Sequence, residues 1–177
     1  DDGNGHIDDL IGWNFVGNNS DPSPYPQNPL YYHGSHCAGI AAGVTNNGKG
    51  IASISYNLTF MPLCVDQVNT FPYAWDGIIY AAENGADIIS NSWGGNVYSS
   101  ASQDVVNYVT GLGSIFVAAA HNYNNTALMY PASYEHVISV ASVNFNDTKT
   151  NYSNYNLWVD VSAPGGGIDG GILSTVP

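Results

Sequence analysis

Apolar positions along this chain follow two alternating rhythms. Short apolar runs stand at Trp13-Asn14-Phe15-Val16, Leu58 to Val65, Asp87 to Ser92, Ser114 to Ala120 and Val137 to Ser142. Each has the length of a strand and is bounded by turn residues. The run Ser114 to Ala120 is apolar throughout, as expected of a fully buried strand in a parallel sheet. Between the runs lie stretches of helical spacing. Pro72 to Asn84 places Trp75, Ile78, Ile79 and Ala82 on one face, with Pro72 in the first turn and Gly85 at the end. Ala101 to Leu112 does the same with Val105, Val106 and Val109, and Gly113 ends it. A third helix is expected from His33, where Gly34, Ser35, Ala38, Gly39, Ala41 and Ala42 would let it pack close to its neighbours. Gly17 to Pro29 reads as a loop, Asn46 to Gly50 as a turn and Ile51 to Tyr56 as a tight connection.

Strand and helix in alternation predict an α/β fold, doubly wound, with a mainly parallel sheet and helices on both faces. No repeat or composition break divides the chain, so residues 1–177 are expected to form one domain. At 44% apolar residues the chain can bury a core.

Charge narrows the function. The net charge is -12, and Lys49 and Lys149 are the only strong cations. Phosphate binding needs Lys and Arg, so a nucleic-acid partner and an anionic membrane surface are both disfavoured. No apolar run reaches the length of a membrane span. Cys37 and Cys64 set no disulfide framework. The chain opens mid-motif at Asp1-Asp2-Gly3 and stops at Thr175-Val176-Pro177 without a closing element, so both ends are expected to be cut.

The candidate chemistry begins at Tyr32-His33-Gly34-Ser35-His36-Cys37-Ala38-Gly39. The dipole at a helix start opposes positive charge and so favours a neutral imidazole, the form a general base needs. One His-x-x-His pair taken alone could be a zinc pair, but two satisfied core histidines is the favoured reading. Further blocks follow: Asn84 to Gly95, then Ala118-Ala119-Ala120-His121-Asn122, Tyr130-Pro131-Ala132, Val159 to Gly165 and Ile172-Leu173-Ser174-Thr175. Asn122 falls at the carboxyl end of an expected strand, where open α/β sheets gather ligands.

In this order the blocks resemble the subtilisin-like serine proteases, with Ser35 for Thr and Cys37 for Val; a Cys there occurs in the proteinase K-like branch. The resemblance covers nearly the whole chain. It implies a secreted serine endopeptidase, a monomer acting on polypeptides, with no cofactor needed for the chemistry. It implies that His33 is the catalytic base, that His36 is a buried structural histidine and that Cys37 is unpaired. Asn122 would be the oxyanion donor, and Pro131 would follow a cis bond. Ser92, Trp93 and Gly94, with Ala119, Ala120 and His121, would line the substrate. The family has Gly where His121 stands, so a side chain there is expected to narrow the pocket or tilt Asn122, favouring small or acidic residues. Asp1 stands at a suitable distance before His33 but follows no buried strand, so the orienting Asp is expected upstream and the nucleophilic Ser downstream. Residues 1–177 alone are then expected to be inactive.

Residues 1 to 9 also look like the back part of a calcium loop. Asp2, Asn4 and Asp8 would give side-chain oxygens and His6 its carbonyl, around Gly5. A solvated acidic turn reads equally well. Two other functions stay open: an inactive, protease-derived module that binds peptides, and, further off, a zinc hydrolase using His33 and His36.

Overall fold

The computed structural model describes residues 3–23, 32–54, 56–66, 70–167 and 170–176. Asp1, Asp2, residues 24–29 of the Gly17 to Pro29 loop and Ser55 therefore lie outside the described residues. The chain falls into two compact units, Asp1–Gly77 with Leu173–Pro177, and Ile78–Ile172.

The first unit holds a parallel pair, β1 (Trp13–Asn14) with β2 (Leu63–Cys64), and helix α1 (Tyr32–Ala42). Both strands are shorter than the apolar runs suggest. Asn14 turns back on Asn19 through two backbone hydrogen bonds, which ends β1. Pro62 has no N–H to donate, which stops β2 from extending backwards. Leu58 and Phe60 consequently stay exposed. Helix α1 is not the buried helix its small residues suggest, since only Gly39 is buried. Small side chains allow close approach but bury little area themselves. The approach occurs at Gly39, where a Cβ would collide with the hydroxyls of Ser174 and Thr175.

The division between units falls inside α2 (Ala74–Glu83). Its buried stripe is Ala74, Gly77, Ile78 and Ala81, with Tyr80 and Ala82. Trp75 and Ile79, expected inward, are only half-buried. The stripe is turned towards the small residues because Gly77 sits hard against Val65, whose Cγ1 would lie 2.6 Å from an added Cβ. Gly85, at φ 83°, closes the helix.

In the second unit β3 (Ile88–Asn91), β4 (Ile115–Ala119), β5 (Val137–Val143) and β6 (Val161–Pro164) form one parallel sheet in sequence order. Helix α3 (Ser100–Gly111) links β3 to β4. Its N-cap Ser99 accepts a hydrogen bond from the Ser102 N–H, satisfying one of the open donors of the first turn. Val106 and Val109 of α3 are fully buried, as is Phe116 of β4, on which α3 packs. Val105, expected inward, is half-buried. β4 is not buried on both faces: Phe116 and Ala118 point inward while Ile115 is 48% exposed. Register sets Ile115 beside Ile88, and Val117 beside Ile138, so an apolar row lies on the face away from α3.

Candidate active site

In the first unit, His33 is the second residue of α1 and is exposed. One turn along, Cys37 sets its Sγ 4.0 Å from Nε2 of His33. The i, i+4 spacing of a helix places both on one face. His36, expected to be buried, is half-buried. Its carbonyl accepts a hydrogen bond from the Ser174 hydroxyl at 2.5 Å, and the Ser35 carbonyl accepts one from Thr175 at 3.3 Å. The Ile-Leu-Ser-Thr block thus seats the helix that carries His33.

In the acidic loop, Gly3 and Gly5 take φ 80° and 93°, which only glycine adopts freely. Oδ1 of Asn4 accepts from the His6 N–H at 2.8 Å, while its Nδ2 donates to Asp9 at 2.9 Å. Asp8 is exposed, and Asp2 lies outside the described residues. Among the described residues no cluster of three or more His, Cys, Asp or Glu is poised for a metal ion. Asn4 and Asp8 carry oxygens, the ligand type that a hard cation such as calcium prefers.

In the second unit the chain leaves the sheet twice at neighbouring strand ends. β3 ends at Asn91, whose buried Nδ2 donates to the Val117 carbonyl on β4 at 3.3 Å. Ser92, Trp93 and Gly94 then run half-buried to Gly95, which exchanges two backbone hydrogen bonds with Tyr130 (2.8 and 2.7 Å). The Tyr130-Pro131 bond is cis. Gly94 has φ 157°, and a Cβ there would fall on the Tyr130 carbonyl and on Nε2 of His121. The structure therefore brings Ser92–Gly94 together with the loop that follows β4.

That loop begins at Ala119 and Ala120; the Ala120 N–H still bonds the Val140 carbonyl at 2.9 Å. His121 is half-buried at φ 75°, and its ring lies parallel to that of Tyr123, centroids 6.0 Å apart. Its Nε2 is buried with no hydrogen-bond partner. Burial pushes the imidazole pKa down, because desolvation disfavours the charged ring. Asn122, next along, is exposed. His121 thus narrows the space beside Gly94.

Two residues of this loop's support gave no signal in the sequence. Asn154 is fully buried, and its Oδ1 accepts from the Tyr123 N–H at 2.9 Å. Lys149 donates to the Asn124 side chain and to the carbonyls of Thr150 and Ser153 at 2.8 to 3.2 Å. Both act on backbone or on amides distant in sequence, which no local motif encodes.

The chain is similar to known proteins. The sequence profile of the Subtilase family matches residues 3–176. The chain is similar to thermitase of Thermoactinomyces vulgaris, 47% identical over 157 residues covering 87% of this chain and 54% of that protein. It is also similar to the halolysin-like extracellular serine protease Nep of Natrialba magadii, 35% identical over 159 residues, covering 89% of this chain and 29% of that one. Among solved structures, one titled as proteases from Pseudoalteromonas arctica PAMC 21717 superimposes with a TM-score of 0.71 at 37% identity, covering 77% of this chain and 44% of that one. The chain spans about half the length of the first relative, and less of the second.

Proposed function

The chain belongs to the subtilase family, and on that premise we propose that the whole protein is a secreted serine endopeptidase in which His33 is the general base and Asn122 the oxyanion donor. The observation that carries this reading is the exposed imidazole of His33 in the first turn of α1, where an incoming hydroxyl can reach it. The orienting Asp and the nucleophilic Ser are assigned to parts of the protein outside these 177 residues. His33 takes the proton from the Ser hydroxyl as its oxygen bonds to the peptide carbonyl carbon. The carbonyl oxygen gains the charge, and the side-chain N–H of Asn122 donates to it. Collapse breaks the C–N bond, and His33 returns the proton to the departing amine. Water then repeats the sequence on the acyl-enzyme.

Ser92, Trp93 and Gly94, with Ala119, Ala120 and His121, are proposed to hold the substrate. Segments leaving the carboxyl ends of adjacent parallel strands suit an extended peptide, bound through backbone hydrogen bonds. The proposed partners are polypeptides only, the enzyme a monomer, and residues 1–177 part of one catalytic domain. Secretion is supported by the extracellular relative.

In the full-length protein, His33→Ala is expected to lower kcat by ~10⁶, the size of loss measured on a protease of this family. Asn122→Ala is expected to lower it by ~10²–10³, a range measured on a protease of this family. Steady-state peptide hydrolysis checks both, and a His33→Ala protein that retained turnover would refute the assignment. One observation favours a second reading, a module that binds peptides without cutting them: the His121 ring stands against Gly94 in the region proposed for substrate. Peptide binding by the wild-type full-length protein without hydrolysis would select that reading.

We further propose that the loop of Asp2, Asn4, His6 and Asp8 holds a structural calcium ion, which takes no part in the chemistry. Chelation with EGTA is then expected to lower the melting temperature of the full-length protein, and added calcium to restore it. Asn4→Ala with Asp8→Ala should remove that dependence. An unchanged melting temperature on chelation would leave only a solvated acidic turn.

A further inference from the structure

Residues Tyr152 to Tyr155 run beside the loop that follows β4 and hold it by its backbone. Asn154 is the centre of this contact and is 0% exposed. Its Oδ1 accepts from the N–H of Tyr123 at 2.9 Å and, more loosely, from that of Asn125 at 3.4 Å. Its own backbone N–H donates to the His121 carbonyl at 3.0 Å. These bonds land on residues 121, 123 and 125, so they bracket Asn122. The neighbours extend the hold: Asn124 N–H donates to the Tyr152 carbonyl at 2.7 Å, and Tyr155 N–H to the Asn125 carbonyl at 3.1 Å.

The orientation of the Asn154 amide follows from this network. Two N–H groups converge on one of its atoms, which must be the acceptor oxygen; turned over, the amide would set donor against donor. The other end, Nδ2, is buried and has no hydrogen-bond partner. A buried unpaired donor is unfavourable. The oxygen end makes every side-chain bond of this residue, and those bonds go to the loop. Asn122 itself is exposed and projects from a backbone fixed on both sides.

We propose that Asn154 is a positioning residue for Asn122. It acts through the backbone of residues 121 to 125, holding the Asn122 carboxamide where charge develops on the substrate carbonyl. This rests on the assignment of Asn122 as oxyanion donor. Stabilisation of that kind depends on donors fixed before the reaction, and a displacement of about 1 Å can cost ~10²-fold in rate. The mobility of an unheld loop would be felt in the transition state and little in substrate binding.

The test is a double-mutant cycle in the full-length protein, read as kcat and KM on one peptide substrate. Asn154→Ala is expected to lower kcat by roughly tenfold to a hundredfold with KM nearly unchanged. In the Asn122→Ala background the same change should lower kcat by less than about twofold, because residues that act as a unit are not additive. If Asn154→Ala costs as much without Asn122 as with it, or leaves kcat unchanged, Asn154 does not position Asn122 and the proposal is overturned. If Asn122→Ala itself leaves kcat unchanged, the oxyanion assignment beneath it fails instead. Should Asn154→Ala not fold, Asn154→Ser, a shorter acceptor that keeps the site polar, goes through the same cycle with the same two outcomes.

Discussion

His121 carries its side chain on a left-handed backbone, φ 75°, a conformation that costs a residue with a Cβ about 1–2 kcal/mol. Its ring is half-buried, and burial lowers its pKa. The unfolded chain protonates this ring near pH 6.5, whereas the folded protein does so only at lower pH. Between those values the unfolded state binds more protons, so stability falls as pH drops from about 6.5 through the folded pKa. Thermal melts of the full-length protein between pH 7.5 and 5 check this. Wild type is expected to lose more of its melting temperature than His121→Gln, and equal losses would show that the ring is not desolvated. Asn122 could be singled out as a candidate from sequence because it follows an apolar run, and strand ends are where ligands gather. Asn154 could not, since the short segment Tyr152-Ser153-Asn154-Tyr155 has no periodicity and its partners lie 29 and 31 residues away.

The elements read best where a stripe and its terminators agreed. α3 runs close to the expected span because Ser99 caps it and Gly113, at φ 107°, ends it. The β2 run misled because apolar content does not show that Pro62 and a two-residue partner limit the ladder. β4 misled because a run of apolar residues looks the same whether one face or both are covered. Register and neighbours, not composition, decide that Phe116 is sealed while Ile115 is half open. Phe116 therefore sits where α3 meets the sheet, and Phe116→Ala is expected to destabilise the full-length protein by ~3–5 kcal/mol. Urea unfolding measures it; a loss below about 1 kcal/mol would mean that the α3–β4 contact is not part of the core.

Over all 177 residues 14 Asp and Glu are offset by only two strong cations, which leaves a net charge of -12. Such an excess repels itself in the compact state, and salt screens it over about 10 Å at 0.1 M. The melting temperature of the full-length protein is expected to rise between 10 mM and 300 mM sodium chloride, and a flat or falling curve would show that the acids are locally compensated. Lys149 is one of the two cations, and its three hydrogen bonds tie residues 149 to 153 to the loop at Asn124. A last consequence follows from the bond between Ser174 and the His36 carbonyl, which joins residues 138 apart. A ribosome releases the chain from its amino end, so α1 emerges long before its support. Closing so wide a loop is slow. Helix α1, with residue 33 in its first turn, thus remains without this support during synthesis until residue 174 has left the exit tunnel.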